Sequence, residues 1–178
     1  PRLGDRITVI GGGTVGCLIA RLASPLPGCT VQLVDIDSHK KIIASRFGVC
    51  FTTPDHAEGE QDIVIHASGS PTGLVTALEL AGFEATVVEA SWFGMQQISL
   101  PLGEAFHSQR LTIRSSQVGS VATAQRSRWG YQRRMATVMQ LLDDPALDVL
   151  ISGESPFMAL PQVMAELSRN PGNTLCHR

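Results

Sequence analysis

The run Gly11-Gly12-Gly13-Thr14-Val15-Gly16 constrains the fold of this 178-residue chain more than any other feature. It follows the apolar stretch Arg6-Ile7-Thr8-Val9-Ile10 and precedes a helical pattern, which predicts a strand, a tight turn and a helix in succession. In such a junction Gly11 permits the turn, Gly13 leaves the backbone open to a phosphate, and Gly16 lets the helix pack closely on the strand. The helix start adds unpaired N–H groups and a partial positive charge. A glycine-rich turn alone is weak evidence, because such turns are common.

The rest of the chain supplies the context. Short apolar strand runs alternate with helical patterns, which predicts βαβ units and an α/β fold of the Rossmann type: a doubly wound, six-stranded parallel sheet with helices on both faces. The first helix, about 14–23, places Val15, Leu18, Ile19 and Leu22 on one face and stops before Pro25 and Pro27. Strands are expected at 31–35, 49–52, 62–66, 85–90, 111–114 and 149–151. Helices are expected at 38–47, 70–81, 131–142 and 160–168, with Pro71 suited to a first turn. No repeat of fixed period appears.

Asp35 closes the second strand, 19 residues beyond Gly16. That is where a carboxylate accepts hydrogen bonds from the adenosine ribose of a dinucleotide. The bland alternative is a helix cap, a task open to Asp37 or Ser38. A 2′-phosphate beside a carboxylate is repelled, so Asp35 favours NAD over NADP, while Lys40 and Lys41 keep NADP open.

Composition narrows the rest. With 43% hydrophobic and 17% charged residues and a net charge of −2, the chain reads as an ordinary globular protein. The arginines of 126–134 are expected to form a solvated face, so nucleic acid finds little support. No apolar run reaches membrane-spanning length and no signal peptide is evident. Cys17, Cys29, Cys50 and Cys176 lack metal-ligand spacing and read as buried free thiols of a reducing, cytoplasmic compartment. The chain opens on Pro1 without an initiator Met and closes on Arg178 without a polar tail, from which a piece of a longer protein is expected.

Beyond the glycine loop and Asp35, the chain resembles the coenzyme domain of medium-chain, zinc-type alcohol dehydrogenases over nearly its whole length. The carrying segments are Leu3 to Val9, Asp35-Ile36-Asp37 with Lys40, Ala67 to Pro71 with Val75 to Leu78, Thr86 to Gly94, and Leu111 to Gly119. The resemblance implies that Gly11, Gly13, Thr14, Val15 and Gly16 seat the pyrophosphate. It implies that Asp35 and Lys40 hold the ribose, Ile36 flanks the adenine and Ser68 lies along the cofactor. Ser91 and Trp92, with Ser115 and Gln117, would meet the nicotinamide. In this family the zinc ligands and proton relay belong to another domain. The resemblance therefore implies no catalytic residue, no metal site and no activity in this chain alone, with 147–178 leading back toward a missing catalytic domain. Hydride exchange between nicotinamide and an alcohol, aldehyde or ketone, and a homodimer, follow for the parent enzyme.

Several residues have plainer readings. His66 is expected as a partly buried, satisfied imidazole rather than a general base. Glu89, inside an apolar strand, needs a partner such as an Arg or the absent domain. Trp92 and Phe93 suit a pocket wall, a covered surface or a nicotinamide contact, and Ser115 to Gln117 suit either structural hydrogen bonds or the cofactor. His107 carries no assigned chemistry. Rival functions are a non-catalytic NAD-sensing regulatory domain, a zinc-free quinone reductase-like NADPH domain and an S-adenosylmethionine methyltransferase. Hydrolase chemistry lacks a nucleophile elbow.

Overall fold

The computed structural model describes residues 1–178. Six parallel strands form its main sheet: β1 (Arg6–Ile10), β2 (Thr30–Val34), β3 (Cys50–Thr52), β4 (Gln61–His66), β5 (Ala81–Glu89) and β6 (Thr112–Ser115). Their spatial order is β3-β2-β1-β4-β5-β6. The connecting helices are α1 (Thr14–Ala23), α2 (Lys40–Arg46), α3 (Pro71–Leu80) and the short α4 (Ala105–Ser108). This is the doubly wound order in which the chain leaves β1 in both directions, opening a crevice at the carboxyl ends of β1 and β4.

Alternation along the strands feeds two cores. Ile7, Val9, Leu33 and Ile65 pack with α1 and α2, whereas Ile10, Val34, Val64 and Val87 pack with α3. A strand buried on both faces needs apolar residues in every position, which is why these runs carry no polar alternation. The buried exceptions are satisfied. Gln32 Nε2 donates to Thr8 Oγ1 and to the Glu58 carbonyl, both at 2.7 Å.

The buried face of α1 differs from its largest apolar residues. Gly16, Cys17, Ala20 and Ala23 face the sheet, while Val15 and Leu22 are exposed. Close helix–sheet approach at the glycine turn leaves room only for small side chains. Leu18 and Ile19 pack partly buried on the margin of this core, and Leu18 and Leu22 line an apolar cavity of about 370 Å³ against Leu141 and Leu147.

Two predicted strands also differ. β5 begins at Ala81 rather than 85, with a register shift against β4 between Gln61 and Ile63. Residues 145–150 form a 3₁₀ helix, and β7 (Ile151–Gly153) pairs with β8 (Cys176–His177) in a separate two-stranded sheet. Helices α5 (Tyr131–Leu142) and α6 (Leu160–Arg169) bury no residue, and Tyr131, Met135, Met139 and Met164 are exposed. No helix is long and apolar enough to cross a membrane.

Arg21 on α1 holds the segment after α5 through Asp144, with Nη2 to Oδ2 at 2.8 Å. The Ala146 N–H and the Arg21 guanidinium keep the Asp144 carboxyl below its usual range. A carboxyl lowered by folding stabilises the fold at every pH above the ordinary carboxylate range, and that contribution disappears as pH falls through the lowered value. Asp144→Asn should therefore reduce the melting temperature at neutral pH and leave no difference from the parent once both are acidified below that value. Differential scanning fluorimetry across pH checks it.

Candidate functional site

The glycine loop is shaped by close approaches. At Gly11 φ is +105°, and a Cβ there would stand 2.7 Å from the Ser68 backbone. A Cβ on Gly16 would stand 1.8 Å from the Gly11 carbonyl oxygen. Gly13 differs, because a Cβ on it meets nothing within 4 Å, and no side chain caps α1 above it. The loop thus excludes side chains where it meets the fold and presents bare backbone where it faces outward.

Asp35 follows β2 directly and faces this loop. Its Oδ2 accepts the Gly12 N–H, and its Oδ1 accepts the Asp37 N–H at 2.8 Å. Each oxygen keeps a lone pair for a ligand. Asp37 Oδ1 accepts the His39 N–H at 3.0 Å and lies 2.7 Å from His39 Nδ1, while no side chain caps α2. Those bonds from His39 hold the Asp37 carboxyl low. The Lys40 stem lies against Gly12, and its Nζ is 3.6 Å from Asp37 Oδ2.

A cleft of about 450 Å³ opens at the carboxyl ends of β1, β2 and β4. Of the residues expected from sequence, Gly11, Gly13, Asp35, Ile36 and Ser68 line it. The others take different places. Thr14 Oγ1 donates to the Leu175 carbonyl at 2.8 Å, Val15 is exposed, and Gly16 is buried in the helix–strand contact. Ser91 Oγ accepts the Gly69 N–H at 3.0 Å, and Trp92 is 91% exposed. Ser115 and Gln117 line a separate open cleft beside Arg114 and 120–126. Pro54, Ser70, Thr72, Gly73 and Thr76 also line the main cleft and were not anticipated. The spacing of Thr72 and Thr76, four apart after Pro71, was the available signal for a polar helix face.

Beneath Ser68 lies a buried polar chain. His66 is fully buried, with Nε2 2.7 Å from Ser68 Oγ and Nδ1 2.8 Å from Glu89 Oε2. Both ring nitrogens are satisfied, and the ring stacks on Phe93 at a centroid distance of 5.9 Å. The partner of Glu89 is this histidine rather than an arginine.

Cys17 sits under the loop, its Sγ 3.3 Å from the Gly12 carbonyl, and burial pushes its pKa up to about 11. A thiolate is the reactive form, so Cys17 should resist iodoacetamide at pH 8 while the exposed Cys50 and Cys176 are labelled. Mass spectrometry of the native, alkylated protein checks it. No three His, Cys, Asp or Glu side chains come together to hold a metal ion.

Over 95% of its length the chain is 24% identical to the galactitol 1-phosphate 5-dehydrogenase of Escherichia coli K12, covering 52% of that protein. A short chain alcohol dehydrogenase of Escherichia coli CFT073, solved with NADH, superposes over 99% of the chain and 52% of its own, with TM-score 0.74 and 16% identity. A zinc-binding dehydrogenase candidate from Sinorhizobium meliloti 1021, bound to NADP, does so over 99% and 52%, with TM-score 0.77 and 19% identity. The chain shares its fold with about half of each of these dehydrogenase structures. No family model matches the chain. The chain spans about half the length of the curated dehydrogenases it matches. In this fold the glycine loop and Asp35 lie side by side at the crevice of the sheet.

Proposed function

We propose that the chain is the coenzyme-binding part of an alcohol dehydrogenase-like oxidoreductase and binds NAD(H) in preference to NADP(H). The observation that carries this reading is the Asp35 carboxylate, set in the cleft beside the bare backbone of Gly13. Gly11 and Gly13 would cradle the pyrophosphate, Asp35 the adenosine ribose, and Ile36 the adenine. Thr14, Val15, Lys40, Ser91, Trp92, Ser115 and Gln117 belong to the proposed set by resemblance alone. The dinucleotide supplies hydride chemistry, and the chain supplies its binding and orientation. The substrate class is an alcohol with its aldehyde or ketone, and residues 147–178 would lead into a second domain that completes the pocket. Zinc, if the whole enzyme uses it, would be held outside this chain. The exposed apolar residues of α5 and α6 fit such a covering domain or a homodimer.

Lys40 beside Gly12, together with the NADP-bound neighbour, favours the second reading of an NADPH-using, quinone reductase-like domain. Paired calorimetric titrations with NADH and NADPH decide between them. At least tenfold tighter NADH, a gap of about 1.4 kcal/mol, is expected. Tighter NADPH would sink the ribose argument, and binding of neither would sink the dinucleotide reading for this chain.

A further inference from the structure

The chain Glu89–His66–Ser68 joins three elements, the end of β4, the turn after it and the end of β5, and it ends on a cleft wall. Its hydrogen-bond polarity follows from its acidic end. Glu89 is acceptor-only when ionised: Oε1 takes the Ser91 N–H at 2.7 Å and Oε2 faces His66 Nδ1 at 2.8 Å. A neutral imidazole carries one proton, which that geometry assigns to Nδ1. Nε2 is then an acceptor, and the Ser68 hydroxyl must donate into the ring across 2.7 Å. The Ser70 N–H, at 3.2 Å, takes one lone pair of Ser68 Oγ. What remains for a ligand is a second lone pair and no proton.

The surroundings hold this arrangement in place. His66 is fully buried and Phe93 stacks on it, so the ring has little freedom to flip. α3 carries Gly73 where the chain passes beneath it, since a Cβ there would stand 2.5 Å from Ser68 Oγ and 3.0 Å from His66 Nε2. Glycine inside a helix costs stability relative to alanine, and here it leaves the space that the Ser68–His66 bond occupies.

We propose that Glu89 and His66 fix Ser68 as a hydrogen-bond acceptor, so that this wall of the cleft selects a ligand donor, such as a ribose hydroxyl, over a phosphate oxygen. The identity of the ligand rests on the dinucleotide reading above; the polarity of Ser68 does not. Ser68 is a specificity residue in this scheme, and His66 and Glu89 are positioning residues.

Glu89→Gln tests the polarity with almost no change in shape. A glutamine has one carbonyl oxygen, which must meet the Ser91 N–H, so its NH₂ faces Nδ1 and forces the ring proton onto Nε2. Ser68 then receives a proton from the ring and turns its own hydrogen toward the cleft. Nitrogen-15 NMR of the ligand-free protein, with His66 assigned through His66→Asn, should show the Nδ1–H tautomer in the parent and Nε2–H in Glu89→Gln. NADH affinity should fall by about 5- to 10-fold in Glu89→Gln and in Ser68→Ala, the loss of one neutral hydrogen bond, with the double variant no weaker than Ser68→Ala. A parent ring protonated on Nε2 or on both nitrogens overturns the proposal. So does Ser68→Ala binding NADH like the parent, an outcome readable even if Glu89→Gln fails to fold. A parent that binds neither dinucleotide overturns the ligand assigned to Ser68, and the tautomer measured without ligand separates that failure from a wrong polarity.

Discussion

Alanine at position 16 should cost the protein about 3 kcal/mol or more, a loss of roughly 10 °C in melting temperature for a domain of this size. A Cβ there would stand 1.8 Å from the Gly11 carbonyl oxygen. The neighbour is backbone at the start of the turn, so relief requires moving α1 away from β1 and opening the contact made by Cys17 and Ala20. The same substitution three residues earlier is the control. Gly13 has extended geometry and open space around its missing Cβ, so Gly13→Ala should melt within a few degrees of the parent. It should nevertheless weaken NADH by at least tenfold, because the added methyl stands where the pyrophosphate would approach. Thermal melts with titrations separate the two effects. A Gly16→Ala protein as stable as the parent would refute the packing account, and unchanged NADH affinity in Gly13→Ala would refute the phosphate account.

Asp35→Ala should lower NADH affinity by about 10- to 100-fold, the range for a hydrogen bond to a charged group. NADPH should lose far less, because the substitution also removes the charge that repels a 2′-phosphate. The ratio of the two affinities is the quantity to read. Asp35 also accepts the Gly12 and Asp37 N–H groups, and loosening of the turn weakens both nucleotides alike, so it cancels in the ratio. A ratio that stays at the parent value would mean that Asp35 shapes the turn without reading the ribose.

Much of this was legible in the sequence. The strand–glycine–helix junction, the order of elements and the place of Asp35 depend on local rules: alternation, helical period, and a residue type that a turn demands. Those rules act within a few residues, so one strand run and its neighbouring helix suffice to read them. The exact ends of α1 and α5 followed from the same periodicity.

Tertiary structure decided the rest. Periodicity identified Val15, Leu18, Ile19 and Leu22 as a face of α1, yet the small residues face the sheet, because the distance between helix and sheet is set by the whole packed layer. The cleft draws residues from β1, β2, the segment before β4 and the first turns of α3, and their convergence is a property of strand order. Glu89 and His66 are 23 positions apart and carry no spacing signal, since they meet only because β4 and β5 are paired in register, His66 opposite Glu89. Sequence by itself determined the local grammar of a parallel α/β sheet and its glycine turn, whose causes lie in neighbouring residues. Which side chains share the cleft was decided by contacts that exist only once distant strands lie side by side.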